Sequence, residues 1–302
     1  MTLRCLTLAG LLATGAVVPA WGQRPAAASA PATLRVRDEA RLGSAVALQD
    51  PPDIRALLAQ AQNWEQKLKD SEALAYYQKI LSLNAQHYQS LWRAAVLSIH
   101  IGGRYADERR KAAYYASARQ YATRALALQP EGGESNYALA LALFSEASLQ
   151  SARDRLRLFK DLRSCVYLAA ERRPDLSEAW QLYGRWHYRV AHYSLLEKLY
   201  SRLVLGGPPP GASVATARQA LEKARALDPA RAQYAYDLAR VYKYEGERER
   251  AIALLRTAIQ LPTITAEDLT VNRLCQQLLE PLARAQARDD RQHARWYARR
   301  RK

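Results

Sequence analysis

The side chains that could carry out catalysis occur in this chain without the spacing that catalysis requires. The 302 residues include 5 His and 3 Cys, and the step of five from His187 to His192 does not give the i, i+4 pair of a zinc-binding helix. The stretch 206–211 lacks the Lys-Ser/Thr pair of a phosphate-binding loop, and no Gly-x-Ser-x-Gly sequence occurs. We therefore expect neither an enzyme nor a bound metal or cofactor.

Cationic and aromatic side chains are a second group whose chemistry is recognisable. They recur in two segments of the second half of the chain: Arg185, Tyr188, Arg189, Tyr236, Arg240 and Lys243. Guanidinium groups hold phosphate or carboxylate through charge-assisted hydrogen bonds. Such side chains act on one ligand only if the fold brings the two segments together.

The segment 234–262 has the residue pattern of one tetratricopeptide repeat (TPR). Small residues at Ala239 and Ala251 would let two helices cross closely, the large apolar Leu238 and Tyr242 would fill the space beside them, and Gly246 would turn the chain. Each repeat is a pair of antiparallel helices, called helix A and helix B. The pattern therefore predicts a helical solenoid, an architecture that usually binds a partner.

Related patterns upstream give five repeats and set their register. The endings Ala-x4-Pro place the helix A starts near Ile54, Tyr88, Gly133, Ser177 and Ala232. The later starts lie farther apart than the 34 residues of a plain repeat, so the middle units must carry insertions. We predict an all-α, TPR-type solenoid over residues 51–283.

Capping patterns predict where two later helices begin. Asp175 with Glu178, and Thr265 with Asp268, have the spacing of a capping box. The run 269–279 is predicted to be a closing helix that covers the last repeat and ends before Pro281.

The repeat register also predicts a concave groove, which helix A lines at positions 2, 5, 9, 12 and 13. In repeats 2 and 3 this rule selects an apolar half: Trp92, Val96, Ile99, Tyr137, Leu141 and Phe144. In repeats 4 and 5 it selects the cationic and aromatic residues given above. The alternative is that the insertions bury the apolar half as core and that the arginines pair internally with Glu178, Glu197 or Asp237.

Several motifs together resemble the regulator of microtubule dynamics family. The most specific is WQLYGRWHYRVAHYSLLEK at 180–198; others are L-W-R-A at 91–94, the Pro/Gly loop at 206–213, A-L-D-P at 226–229 and L-P-x-x-T-x-E-D at 261–268. The resemblance covers about residues 54–283. It implies an all-helical repeat protein without catalytic activity, and animal members are associated with microtubules, mitochondria and, in one branch, phospholipid binding at organelle contacts.

The amino-terminal segment predicts export. Arg4, a short apolar run and the small residues Ala20 and Gly22 form the pattern of a signal peptide over residues 1–22, and an uncleaved anchor helix is the alternative. Residues 23–50, rich in Ala, Pro and Arg, are predicted to be a flexible spacer. On this basis we expect a periplasmic or secreted bacterial protein.

The carboxy-terminal segment 284–302 is strongly basic. The chain has a formal net charge of +16, and steps of three and four residues would align five arginines on one helix face: Arg284, Arg288, Arg291, Arg295 and Arg299. This tail could contact anionic lipid or an acidic polymer, or it could be a solvated terminus.

Two classes of function follow from these features. The first is a scaffold of the cell envelope that binds a segment of a partner protein in its groove. The second is a module that binds an anionic phospholipid or another amphipathic ligand there. Nucleic acid is not an expected partner, because no recognised binding fold occurs. The sequence does not indicate the oligomeric state.

Overall fold

The computed structural model describes residues 50–300, and every regular element in this part of the chain is an α-helix. The predicted signal peptide and spacer lie outside the described residues. The helices are α1 (Pro52–Gln66), α2 (Asp70–Leu83), α3 (Tyr88–Gly103), α4 (Glu108–Leu128), α5 (Gly133–Ala147), α6 (Ala152–Asp161), α7 (Arg163–Arg172), α8 (Ser177–Ala191), α9 (Leu195–Val204), α10 (Val214–Leu227), α11 (Ala232–Glu245), α12 (Arg248–Ala258) and α13 (Ala266–Arg300).

Helix pairs follow the predicted repeat order, which confirms an all-α solenoid of the TPR type. Each helix A packs on its own helix B, in the pairs α1/α2, α3/α4, α5/α7, α8/α10 and α11/α12. Four helices A begin at the predicted residues, and the first begins at Pro52. The middle repeats carry the expected insertions: α4 is 21 residues long, α6 precedes α7, and α9 lies between α8 and α10.

Small residues allow these helices to pack closely. A Cβ atom added to Gly184 on α8 would lie 2.7 Å from Cγ of Leu221 on α10. Ala251, the small residue predicted for α12, is fully buried. Gly246 ends α11 with φ of +82°, a left-handed conformation that glycine adopts without steric cost.

The last helix is longer than predicted. The expectation that it ends before Pro281 is wrong, because α13 runs through this proline to Arg300. A proline inside a helix removes one backbone hydrogen bond, but Val271 and Leu282, on either side of it, pack in the same core cluster. None of the described helices combines the length and apolar character needed to cross a membrane.

One of the two predicted helix caps forms. Thr265 accepts from the backbone N–H of Asp268 (3.1 Å) and donates its own backbone N–H to the Asp268 carboxylate (2.9 Å). The prediction of a cap at Asp175 is wrong, because α8 begins directly after Leu176 and has no side-chain cap. Asp175 instead accepts from the guanidinium of Arg173 (2.7 Å and 2.9 Å), and these hydrogen bonds lower the pKa of Asp175 to about 2.

Candidate functional site

A cavity of about 510 Å³ opens between α5, α6, α8, α10 and α11. The inserted helix α6 forms one wall, and it is fixed to α8 because the buried indole N–H of Trp186 donates to the carbonyl of Phe159 (2.9 Å). The cavity is lined by Phe144, Ala147, Ser148, Arg155, Phe159, Arg185, Tyr188, Arg189, His192, Leu221, Asp237 and Arg240.

Four arginines reach this cavity: Arg155 from α6, Arg185 and Arg189 from α8, and Arg240 from α11. Aromatic rings hold three of them in place, and for Arg189 the guanidinium carbon lies 5.1 Å from the ring centre of Tyr193. The guanidinium carbon of Arg185 lies 4.7 Å from the ring centre of Phe144, and that of Arg240 lies 5.1 Å from the ring centre of Tyr188. A cation over a ring face is attracted by the negative potential of that face. The cavity wall is therefore both cationic and aromatic.

Carboxylates neutralise part of this charge. The buried Asp237 accepts from the amide of Gln181 (2.7 Å), and its carboxylate lies 3.8 Å from Nε of Arg185. Arg189 forms an ion pair with Glu197. Burial opposes ionisation of Glu197, but the hydrogen bonds from Arg189 and Ser194, together with the charge of Arg189, outweigh it and lower the pKa of this carboxyl. The predicted internal pairing thus occurs for two of the three groove arginines.

The other two arginines have no such compensation. In the part of the chain that the structure describes, no carboxylate lies within 4.0 Å of Arg155 or Arg240. Arg155 donates to the carbonyls of Ala147 and Gln150 (3.1 Å each) at the end of α5. Arg240 is exposed, and its guanidinium lies beside the rings of Tyr188 and Tyr236. Arg240 is therefore the guanidinium best able to receive an external anion.

Aromatic side chains form the wall beside Arg240. The rings of Tyr188 and His192 lie 4.0 Å apart, and the Tyr244 ring meets His192 edge-on at 4.1 Å. Nδ1 of His192 donates to the backbone carbonyl of Tyr188 (2.6 Å), whereas its buried Nε2 has no partner among the described residues. Burial raises the pKa of the Tyr188 hydroxyl, so this hydroxyl stays un-ionised at physiological pH.

The predicted apolar half of the groove is mostly core. Val96, Ile99 and Tyr137 are buried, and they therefore offer no groove surface. Trp92 and Leu141 are partly buried and pack against the same clusters. Burial is the alternative given above: residues of α6 pack in the cluster of Val96, whereas Ile99 packs with residues of α4 and α5. Phe144 is the apolar groove residue that reaches the cavity.

Two of the predicted residues, Tyr236 and Lys243 of α11, are not among those that line the cavity. The guanidinium carbon of Arg240 lies 5.9 Å from the ring centre of the half-buried Tyr236, and Lys243 is exposed. The groove rule missed Arg155 and Phe159, because it considers only helix A and these two belong to the inserted α6. The amphipathic sequence of α6 was the one signal that could have indicated that this helix packs beside the groove.

Residues 284–300 of the basic tail belong to α13, and none of them is among the residues that line the cavity. Its five aligned arginines are all exposed: Arg284, Arg288, Arg291, Arg295 and Arg299. Two of the tail's charges are used within the chain, since Arg284 pairs with Glu280 (3.2 Å) and Asp289 pairs with Arg248. Contact of this tail with anionic lipid or an acidic polymer stays a prediction.

Comparisons with known proteins agree with the repeat architecture. The sequence model of the family described as "Regulator of microtubule dynamics protein 1-3" matches residues 57–283. "Regulator of microtubule dynamics protein 3" of Rattus norvegicus is 28% identical over 247 residues, covering 80% of this chain and 50% of its own length. The Bos taurus protein is 28% identical over 222 residues, with coverage of 72% and 46%. The chain thus spans about half the length of these relatives.

A solved structure supports the fold alone. A thermophilic TPR protein from Thermus thermophilus superimposes with a TM-score of 0.51 at 17% identity, covering 75% of this chain and 98% of that one.

The predicted localisation is wrong. The matched relatives are eukaryotic proteins, which are not periplasmic, and this contradicts an exported, periplasmic or secreted bacterial protein. A short apolar run after one arginine is a pattern of low specificity, and it carries less weight than a match over residues 57–283.

Proposed function

This chain belongs to the Regulator of microtubule dynamics protein 1-3 family, and from that premise we propose that it is a non-catalytic scaffold that binds a segment of a partner protein in its cavity. The TPR-type fold supports this proposal, because solenoids of helix pairs offer an extended concave surface for a partner. One observation carries the proposal of a specific site: the exposed guanidinium of Arg240 lies at the edge of a cavity with aromatic walls, and no carboxylate of residues 50–300 lies within 4.0 Å of it.

The cavity lining specifies the chemistry of the segment. Arg240 and Arg155 would attract a carboxylate or phosphate group, which can accept two parallel hydrogen bonds from one guanidinium. Phe144, Phe159 and Leu221 would contact an apolar side chain next to that anion. We therefore infer a ligand segment that combines an acidic group with an adjacent apolar or aromatic side chain.

An anionic phospholipid is the second candidate occupant. The observation that favours it is the direct contact of cations with apolar rings in one cavity, as between Arg185 and Phe144. The buried state of Val96, Ile99 and Tyr137 argues against it, because long acyl chains would need the apolar half of the groove to be open. A protein segment needs no such chamber, and we therefore place it first.

Comparative capture tests this proposal. The wild-type chain and an Arg240→Ala variant would be used as baits in an extract of the native host, with bound proteins and phospholipids quantified by mass spectrometry. Loss of one charge-assisted contact should weaken partner binding by roughly 1.5–3 kcal/mol, which raises the dissociation constant tenfold or more. Partner peptides depleted from the variant would support the proposal, whereas equal recovery by both baits would refute it.

The control for charge is Arg256→Ala. Arg256 is exposed on α12 and does not line the cavity. Arg185→Ala is unsuitable as a binding test, since it would leave the buried carboxylate of Asp237 with Gln181 as its remaining partner and so destabilise the fold. Depletion of phospholipid in place of protein would support the second candidate.

The family description supplies one defined partner to test. Assembled microtubules are a protein surface that can be sedimented with the purified chain. Co-sedimentation that falls tenfold in Arg240→Ala but not in Arg256→Ala would identify this partner class. Co-sedimentation that is equal in all three proteins would show that any microtubule contact lies outside the cavity.

A further inference from the structure

The inserted helix α9 presents large apolar side chains to solvent. Leu195, Leu196, Leu199 and Leu203 are 84%, 79%, 55% and 77% exposed. At about 100° per residue they fall within an arc of roughly 100° on one side of the helix. Single exposed leucines are ordinary, but four on one helix face form a contiguous patch, which marks an interaction surface. We call it the α9 leucine patch.

The cap and the buried side of α9 keep the leucine patch facing solvent. Ser194 caps α9: it accepts from the backbone N–H of Glu197 (3.3 Å), and its own N–H donates to the Glu197 carboxylate (2.8 Å). Ser201 is buried and Tyr200 packs against the largest core cluster, so the opposite side of α9 faces the protein. The leucines are therefore not free to turn inward.

Cations border the α9 leucine patch. Arg202 is exposed and Lys198 half-buried on the same helix, one turn from the leucines. The neighbouring helix α6 adds three exposed cations: Arg153, Arg157 and Lys160. Two of these tie α6 to α9: the guanidinium carbon of Arg153 lies 5.8 Å from the Tyr200 ring centre, and Lys160 donates to the carbonyl of Leu205.

Acidic side chains offset this charge only in part. Asp154 and Asp161 are exposed on α6, but Asp154 is engaged by the hydroxyl of Ser151 (2.7 Å) at the start of that helix. The carboxylate of α9 itself, Glu197, is paired with Arg189 on the protein side. The border of the patch therefore carries a net positive charge.

We propose that the α9 leucine patch is a docking surface for an anionic phospholipid bilayer. Leucines on one face with Lys and Arg beside them are the chemistry by which a helix lies in the membrane interface, its apolar side chains among the acyl chains and its cations at the anionic headgroups. A second copy of the chain fits less well, because a two-fold contact through this face would bring the bordering cations together. This surface is distinct from the cavity and does not depend on its ligand.

Binding of the full chain to vesicles tests this proposal. The probes are vesicles of phosphatidylcholine alone and of phosphatidylcholine with roughly 30% phosphatidylserine. Leu195→Ser with Leu203→Ser should lower the partition coefficient onto the anionic vesicles tenfold or more, because two large apolar side chains no longer enter the bilayer. The matched control is Leu83→Ser with Leu227→Ser, which changes two exposed leucines (63% and 44%) on other helices.

A local probe reports where the contact occurs. An environment-sensitive fluorophore on Leu199→Cys, in a Cys5→Ser background, should shift to shorter wavelength with anionic vesicles, and this shift should weaken as salt rises from roughly 0.05 to 0.5 M. The same label on Leu83→Cys should not respond. Arg240→Ala should bind vesicles as wild type does, so failure of the cavity proposal leaves this one testable.

Three results would overturn the proposal. The first is unchanged vesicle binding by the double leucine variant, and the second is an equal response to neutral and anionic vesicles. The third is a fluorophore shift that grows with protein concentration in the absence of lipid, which would assign the patch to contact between copies of the chain.

Discussion

Substitution of Gly184 by alanine tests the repeat register directly. The new Cβ would lie 2.7 Å from Cγ of Leu221, 3.0 Å from its Cδ2 and 3.1 Å from the carbonyl oxygen of Ala217. Leu221 is buried and Ala217 O is backbone, so neither can move away cheaply. Alanine in place of a helical glycine gains up to about 1 kcal/mol, whereas overpacking costs about 1–3 kcal/mol. We therefore expect a net loss of roughly 1 kcal/mol.

Chemical unfolding of matched variants measures this balance. Gly103→Ala is the control, because it also replaces a helical glycine and its new Cβ would meet no atom closer than 3.9 Å. That control should gain up to about 1 kcal/mol. A double-mutant cycle with Leu221→Ala should show a coupling of about 1 kcal/mol, since the smaller partner removes the clash. Equal stabilisation by Gly184→Ala and Gly103→Ala would refute the close crossing of α8 and α10.

Three further predictions follow from buried groups. Ala251→Leu should destabilise the fold by roughly 1–3 kcal/mol, and an unchanged melting midpoint would show that the small position of α12 is misassigned. Burial, helped by a nearby arginine, lowers the pKa of His187 from 6.5 to about 4. As pH falls through this window, the unfolded chain binds a proton that the native chain does not, so the free energy of unfolding of wild type should fall by about 3 kcal/mol relative to that of His187→Phe. Parallel curves of stability against pH for the two proteins would contradict this. Burial raises the pKa of the Cys165 thiol, and it raises the pKa of the Cys275 thiol to about 11. Both thiols of the native Cys5→Ser protein should therefore react with a thiol reagent at pH 8 far more slowly than after unfolding. Fast labelling of the native protein would argue against their burial.

The repeat architecture could be predicted because its determinants are local. Small residues such as Ala239 and Ala251, with a turn glycine at Gly246, occur at fixed offsets within one helix pair, and the Ala-x4-Pro endings indicated the starts of the later helices A. The end of α13 could not be predicted this way. Whether a helix continues through Pro281 depends on packing of the segments on both sides of it, which a local rule does not include.

The cavity could be predicted only in part. Arg185, Arg189 and Arg240 were found because helix A residues at set positions face the concave side. An apolar stripe, in contrast, looks the same whether it is covered or open, and for this reason Val96 and Ile99 could not be assigned. Residues from an insertion are outside any repeat rule, since their position depends on tertiary contacts such as the hydrogen bond between Trp186 and the end of α6.

Site-specific photo-cross-linking tests the central claim most directly. A photoreactive amino acid at Tyr236, which lies beside Arg240 at the edge of the cavity, would report what enters the site in the native host. We expect cross-links to peptides that contain an acidic residue next to an apolar one, their loss when Arg240→Ala is added, and none from the same probe at Arg256. Equal cross-linking from both positions, or peptide cross-links that persist without Arg240, would contradict this claim.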